Sequence, residues 1–287
     1  MTIVVTGATG HLGRLAIESL IARGVAPSSI VAGGRRVDTL SDLADRGVRV
    51  VSIDYTKPET LDAAFAGADK VLLVSSSEVG QRAAQHATAV TAAAAAGVKH
   101  LVYTSAPRAT TSELILAPEH KATEEAIAAS GIPFTILRNN WYTENYLGTV
   151  EQARSTGEVV SSAGTGRVAS ASRRDFAEAA AVVLTTPGHE GAVYELAGDV
   201  AWNFGDLAEA VSAVTGRDVV LRGVSAEDHL AILGAAGLDE GTAGFVVALD
   251  QNIKAGHLAE TTGDLARLIG RPTTPVAEGL SEALAAV

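Results

Sequence analysis

The chain has 287 residues, of which 47% are hydrophobic, and its formal net charge is -11 at pH 7. This length and apolar content are enough for one large domain or two modest ones around a full core. Because there is no cysteine, disulfides, thiolate metal sites and cysteine nucleophiles are excluded, and the negative charge disfavours a nucleic-acid partner.

No segment of the chain stays apolar for the roughly 20 residues that a membrane span needs. The longest alanine-rich stretch, Ala83 to Ala96, is interrupted by glutamine, histidine and threonine. No basic and then apolar signal sequence precedes the first apolar run. We therefore expect a cytoplasmic protein without a membrane partner.

The first predicted element is a strand that leads through a glycine turn into a helix. The apolar run Ile3 to Val5 is followed by glycines at positions 7, 10 and 13 and then by an amphipathic stretch. Gly7 permits a sharp turn, Gly10 leaves room for a pyrophosphate at the backbone, and Gly13 allows close helix packing. The free N–H groups and dipole of the first helical turn attract an anion. The pattern predicts a dinucleotide site contacted by Thr6, Gly7, Thr9, Gly10, His11, Leu12 and Gly13.

Continuous apolar runs recur through the first half of the chain, with helical patterns between them. These runs are Ile30 to Ala32, Val48 to Ile53, Val71 to Val74, Leu101 to Tyr103 and Phe134 to Leu137. Such runs are typical of parallel strands covered by helices on both faces. With right-handed crossovers they predict an α/β fold over residues 1–150, a doubly wound parallel sheet of the Rossmann type.

The pattern changes after about residue 150. Shorter strands are predicted near Val159, Val168, Val193 and Val219, alternating with helices and glycine turns. We interpret residues 151–287 as a smaller C-terminal α/β lobe that closes over the cleft. No repeat or low-complexity linker separates the halves, so we expect them to share one continuous core.

Polar residues follow each predicted strand of the sheet, where a doubly wound fold binds its ligand. Beyond the glycine turn they include Ser75, Ser76, Ser77, Thr104, Ser105, Asn139 and Asn140. Arg35 and Arg36 follow the second strand, where sites selective for NAD carry an acidic residue. A guanidinium pairs with a 2′-phosphate that a carboxylate would repel, so the sequence predicts NADP as cofactor. Asp54 is expected to accept from the adenine amino group, with Tyr55 packed beside it.

Six motifs, taken together, resemble the NmrA-like branch of the short-chain dehydrogenase superfamily. They are T-G-A-T-G-H-L-G from Thr6, Asp54-Tyr55, S-S-S-E-V-G-Q-R from Ser75, Tyr103-Thr104-Ser105, H-K-A-T-E from His120 and L-R-N-N-W-Y-T-E-N-Y from Leu137. Within this branch the chain looks most like the type-2 NAD(P)H:quinone oxidoreductases, with the triphenylmethane dye reductases as sisters. The likeness extends to the segments that begin at Gly188 and Leu268. It implies a nicotinamide cofactor across the strand ends and a quinone in the cleft under the smaller lobe.

Two features depart from these relatives. Gly33 and Gly34 replace bulkier apolar residues, and Arg36 stands where many relatives carry asparagine. Both lie at the adenosine end, so selectivity between NADPH and NADH is left open there.

Ketone-reducing short-chain dehydrogenases use a Tyr-x-x-x-Lys pair to protonate an alkoxide, and this chain contains no such pair. Hydride addition to a quinone produces a phenolate-like oxyanion with a conjugate-acid pKa of about 10, which water can protonate. His120, at a predicted helix start, is the alternative proton donor, although it can equally bond to backbone beside the site. The resemblance gives His120, Asn139 and Tyr142 as candidate catalytic residues.

The resemblance also implies a pocket for a small quinone or a similar flat acceptor. Its substrate-binding candidates are Glu78, Arg82, Trp141, Asn145 and Tyr146. The histidines show no H-x-x-x-H or H-E-x-x-H spacing, so we expect no metal. Three alternatives stay open, namely reduction of dyes, reduction of activated alkenes, and a non-catalytic NADP-binding redox sensor. The oligomeric state is also open, with a homodimer as one candidate.

Overall fold

A computed structural model describes residues 1–285 of the chain and has a parallel sheet at its centre. In chain order the strands of this part are β1 (Ile3–Val5), β2 (Ile30–Gly34), β3 (Arg49–Ser52), β4 (Lys70–Leu73), β5 (His100–Ser105), β6 (Phe134–Asn139), β7 (Glu158–Ser161), β8 (Arg167–Val168), β9 (Val193–Leu196), β10 (Trp202–Asn203) and β11 (Val220–Gly223). The main sheet has seven strands in the order β3-β2-β1-β4-β5-β6-β9, all parallel. The predicted doubly wound α/β fold is therefore confirmed.

The helices that the structure describes are α1 (His11–Ala22), α2 (Ser41–Asp45), α3 (Pro58–Phe65), α4 (Arg82–Ala95), α5 (Ala117–Ala129), α6 (Leu147–Thr156), α7 (Arg173–Thr185), α8 (Phe204–Thr215), α9 (Ala226–Ala235), α10 (Glu240–Lys254), α11 (Asp264–Ile269) and α12 (Val276–Ala285). Within residues 1–285, none of them has the length and apolar character that a membrane-spanning helix requires.

Alternate residues of the strands pack in two apolar layers, one on each face of the sheet. Ile3 and Val5 pack with α1 and α7, whereas Val4 packs with α3, α4 and α5. This alternation follows from the two-residue period of a strand. Because both faces of the sheet are buried, the strand sequences are continuously apolar and do not alternate between apolar and polar residues.

Residues beyond 150 contribute to the main sheet as well as to the smaller lobe. The strand near Val193, which we expected in the lobe, is β9 and pairs with β6 at the sheet edge. The chain returns there because α7 buries an apolar face against α1, with Phe176 and Ala180 in the same cluster as Ile17. The prediction of a lobe strand at Val193 was wrong for this reason.

The smaller lobe has an apolar cluster of its own. Val159, Trp202 and Phe204 pack there with residues of α6, α10 and α12. Strands β7 and β11 pair in parallel, and β8 pairs with β10 in an antiparallel arrangement. The division into domains at residues 1–150 and 151–287 stays a prediction. The main sheet contains strands from both sides of this boundary.

Candidate functional site

The carboxyl ends of the main-sheet strands open onto a cavity of about 530 Å³. The glycine turn, the segment 75–82 and the smaller lobe all contribute to its wall. Predicted site residues that line it are Gly7, Thr9, Gly10, His11, Leu12, Gly13, Arg35, Asp54, Tyr55, Ser75, Ser76, Ser77, Glu78, Arg82, Trp141, Tyr142 and Asn145. The fold thus brings together residues that lie up to 138 positions apart in the chain.

The glycine turn has the geometry that its spacing predicts. Gly7 adopts a φ of 61°, in the left-handed region that favours glycine. A Cβ on Gly13 would lie 2.4 Å from the carbonyl oxygen of Gly7, so α1 packs directly on the turn. Within the described residues no side chain caps α1 at Gly10, which leaves the N–H groups of its first turn available at the cavity wall. This arrangement suits a pyrophosphate.

The two arginines after β2 lie in different places. Arg35 lines the cavity, and its Nη1 lies 2.5 Å from Oε1 of Glu78. Arg36 is exposed outside the cavity lining and begins a short helical turn, where its carbonyl accepts from Thr39 Oγ1. Arg35 is therefore the arginine placed to meet a group bound in the cavity.

Asp54 and Tyr55 lie between β3 and the cavity. The carboxylate of Asp54 accepts from the hydroxyl and N–H groups of Thr56, and these bonds lower the pKa of Asp54. The hydroxyl of Tyr55 lies 2.6 Å from Thr6 Oγ1, and burial raises the pKa of Tyr55. Thr6 itself does not line the cavity, because its hydroxyl donates to the Leu72 carbonyl and connects β1 with β4.

Two predicted hydroxyl residues at the end of β5 also lie behind the cavity wall. Thr104 Oγ1 accepts from the N–H of Ser75 and so positions the segment after β4. Ser105 Oγ donates to Glu124 at 2.6 Å. Neither lines the cavity, and both have internal partners in the structure.

Glu78 and Arg82, which we expected beside the substrate, have roles in the segment 75–82 itself. Glu78 pairs with Arg35, which follows β2. The Nε of Arg82 donates to the Ser76 carbonyl, and its guanidinium lies 3.7 Å from Glu119. Arg82 is buried with Nη1 lacking a hydrogen-bond partner among the described residues.

His120 lies in a buried cluster with His86 and Tyr103. The N–H of Ser76 donates to His86 Nε2, and the Tyr103 hydroxyl lies 2.8 Å from His120 Nδ1. Burial, reinforced by the charge of Arg82, lowers the pKa of both imidazoles to about 3. His120 is thus neutral at pH 7 and lies outside the cavity lining, so it is badly placed to deliver a proton.

The His120→Gln variant is expected to lose less stability on mild acidification than the parent protein. The folded pKa of His120 lies below 6.5, so only the unfolded chain gains the proton near pH 6. The stabilisation from neutral His120 is complete above pH 6.5 and is lost as the pH falls towards 3. Between pH 6 and 5 we expect the substitution to reduce the pH slope of the unfolding free energy by about 1 kcal/mol per pH unit. Urea denaturation measures this slope, and an unchanged slope contradicts the assignment.

Part of the cavity wall is formed by aromatic and apolar side chains. Trp141 and Tyr142 follow β6 and line the same cavity as Leu116 and Phe245. Asn139 lies behind Tyr142 and donates its Nδ2 to the Tyr142 hydroxyl at 3.3 Å. The Arg173 guanidinium lies 4.8 Å from the centre of the Tyr142 ring.

Tyr146 has a different location from the predicted one. It is buried in the lobe core, with its ring 5.0 Å from that of Trp202. The cavity is also lined by residues that were not predicted from the sequence, namely Gly34, Ile53, Val74, Val79, Gln85, Leu116, Arg173 and Phe245. Gly34 and Arg173 adjoin motifs that the sequence displays, whereas Phe245 reaches the site only through the packing of α10.

Within residues 1–285 no three histidine or carboxylate side chains come together as a metal site. That the protein binds no metal stays a prediction.

The profile of the NAD(P)H-binding family matches residues 7–187 of this chain. Quinone oxidoreductase 2 of Escherichia coli (strain K12) is 46% identical over 279 residues, which cover 97% of each protein. A solved NADPH-dependent quinone oxidoreductase from Escherichia coli, complexed with NADPH, has a TM-score of 0.94 at 45% identity and covers 99% of this chain and 100% of that one. The Citrobacter sp. triphenylmethane reductase complexed with NADP(H) has a TM-score of 0.93 at 42% identity, covering 98% and 100%. By sequence and by structure, the protein belongs to the NAD(P)H-binding family.

Proposed function

We propose that this protein is an NADPH-dependent oxidoreductase that reduces a small quinone by hydride transfer. The observation that carries the proposal is one cavity that joins the uncapped N-terminus of α1 to an aromatic pocket formed by Trp141 and Tyr142. The similarity to quinone oxidoreductase 2, which extends over almost the whole chain, supports the same reaction.

The residues at the turn fit a dinucleotide. At Gly13 a Cβ would collide with the Gly7 carbonyl, and at Gly34 it would lie 2.6 Å from Thr9 Cγ2, so glycine keeps the turn close to β2. We assign the pyrophosphate to the N–H groups of His11 to Gly13, since the Gly10 N–H donates to the Gly7 carbonyl, and the 2′-phosphate to Arg35. When bound, the nicotinamide supplies the hydride, and the protein supplies position and electrostatics.

Tyr142 is the residue that we assign to the acceptor oxygen. Its hydroxyl accepts from Asn139, and within the described residues its own proton has no acceptor. Burial raises the pKa of Tyr142, so the hydroxyl stays protonated and can donate to the oxygen where negative charge develops. Water then protonates the phenolate-like product, since His120 is neutral and outside the cavity lining.

The Tyr142→Phe variant is expected to lower kcat/KM for a quinone about 10-fold to 100-fold, the cost of one hydrogen bond to a developing charge. The NADPH dissociation constant should change less than twofold, because the ring and its packing remain. Tyr194→Phe is the matched control, since the Tyr194 hydroxyl bonds to His189 away from the cavity lining. Equal kcat/KM in Tyr142→Phe and the parent protein would remove Tyr142 from the mechanism.

The function is tested by following NADPH oxidation with benzoquinone, naphthoquinone and an unactivated ketone. We expect turnover of the quinones and none of the ketone, because the chain lacks the acid that an alkoxide needs. Tight NADPH binding without turnover of any quinone would instead support the non-catalytic sensor.

Dye reduction is the second candidate, favoured by the similarity to the Citrobacter triphenylmethane reductase. A triphenylmethane dye in the same assay decides between the two acceptor classes. Cytoplasmic location and a homodimer remain predictions, and light scattering of the purified protein tests the second.

A further inference from the structure

The wall of the cavity contains an ion pair between two of its own lining residues. Arg35 follows β2 and Glu78 follows β4, and Arg35 Nη1 lies 2.5 Å from Glu78 Oε1. The second carboxylate oxygen of Glu78 accepts from Gln85 Nε2 at 2.7 Å. Arg35 is 65% exposed and Glu78 is 35% exposed, so a ligand can reach both groups.

The segment that carries Glu78 is held in place at several points. Glu119 accepts from the N–H groups of Gly80 and Arg82 at 3.0 Å each, and Ser76 Oγ accepts from the N–H of Glu78. Arg82 donates back to the Ser76 carbonyl. These hydrogen bonds fix the backbone that carries Glu78, and so they hold the Glu78 carboxylate beside Arg35.

We propose that Glu78 is a specificity-determining residue that competes with the 2′-phosphate of NADPH for Arg35. This inference rests on the proposed role of Arg35 in NADPH binding. A 2′-phosphate must displace the Glu78 carboxylate from Arg35 or share the guanidinium with a like charge, and both reduce the affinity for NADPH. NADH has no 2′-phosphate, so it binds with the Arg35–Glu78 pair intact. Glu78 thus narrows the preference for NADPH over NADH that Arg35 creates.

The test is a fluorescence titration of NADPH and NADH into the full chain without any acceptor. For Glu78→Gln we expect NADPH to bind about threefold to tenfold more tightly, from loss of an exposed ion pair and of one charge beside the phosphate. The NADH dissociation constant should change less than twofold. In the Arg35→Gln background the effect of Glu78→Gln on NADPH should be smaller, because competition for the guanidinium is gone and only the repulsion between the Glu78 carboxylate and the phosphate remains. An undiminished effect in that background overturns the proposal.

Two controls separate this effect from changes in overall charge. Glu209→Gln makes the same charge change on an exposed position of α8, and Arg222→Gln removes an exposed arginine of β11 outside the cavity lining. Both should leave the ratio of the two dissociation constants within twofold of the parent value. Melting temperatures of all variants show whether each one is folded.

An unchanged or smaller preference for NADPH in Glu78→Gln overturns the proposal. Equal NADPH affinity in Arg35→Gln and the parent protein also overturns it, because Arg35 would then not bind the phosphate. Since no quinone is present, these results are independent of the turnover assay, and failure of quinone reduction would leave them interpretable.

Discussion

The Gly13→Ala variant is expected to weaken NADPH binding by at least about 100-fold and to destabilise the fold by about 1 to 3 kcal/mol. A Cβ at this position would lie 2.4 Å from the Gly7 carbonyl oxygen, 2.7 Å from the Gly7 carbonyl carbon and 3.0 Å from Ala8 Cα. All three atoms are backbone, so no side chain can turn aside to relieve the overlap. The turn must move away from α1, and the N–H groups assigned to the pyrophosphate lose their common direction.

Gly148→Ala is the matched control for this substitution. Gly148 lies in α6, and a Cβ there meets nothing within 4 Å. Alanine in a helix is more favourable than glycine by about 1 kcal/mol, so this variant should be as stable as the parent protein or more so. Thermal melts and NADPH titrations of both variants measure the contrast. Normal NADPH affinity in Gly13→Ala would show that the turn is not the cofactor cradle.

Much of the fold could be predicted because its signals are local. The glycine spacing specifies a turn whose φ and close contacts follow from the absence of a side chain at Gly7 and Gly13. The continuous apolar runs identify strands buried on both faces, and the rule for parallel sheets then places the ligand at their carboxyl ends. Strand positions and the location of the cavity need no knowledge of distant contacts.

The features that sequence analysis missed depend on distant packing. Phe245 lies in α10 and lines the cavity, and no periodicity in the chain indicates that position. β9 joins the main sheet because α7 first returns to α1. Arg35 and Arg36 are adjacent residues of the same type, so the sequence does not distinguish them. Which one lines the cavity depends on where β2 ends. Tyr146 was predicted to bind substrate, but its ring packs in the core of the lobe beside Trp202.

The Arg138→Met variant is expected to lower the free energy of unfolding by about 3 to 5 kcal/mol. Arg138 is 12% exposed and donates through Nε and Nη2 to the two carboxylate oxygens of Glu124, at 2.9 and 2.6 Å. Its Nη1 donates to Glu195 at 2.8 Å. Methionine preserves most of the apolar stem, so the loss is chiefly electrostatic, because Glu124 stays buried without its counter-charge.

We expect this substitution to affect the candidate site as well, since Arg138 directly precedes Asn139 in β6. Arg138 connects β6 to α5 through Glu124 and to β9 through Glu195, and the next residue of β6 is Asn139, the partner of Tyr142. Arg222→Met is the control, because Arg222 forms an exposed pair with Glu158, and such pairs contribute at most about 1 kcal/mol. Urea denaturation at pH 7 compares the two variants. Equal destabilisation of Arg138→Met and Arg222→Met would show that the buried network does not hold these three elements together. If adding Glu124→Met to Arg138→Met restores part of the lost stability, the unpaired Glu124 carboxylate is the cause of the loss.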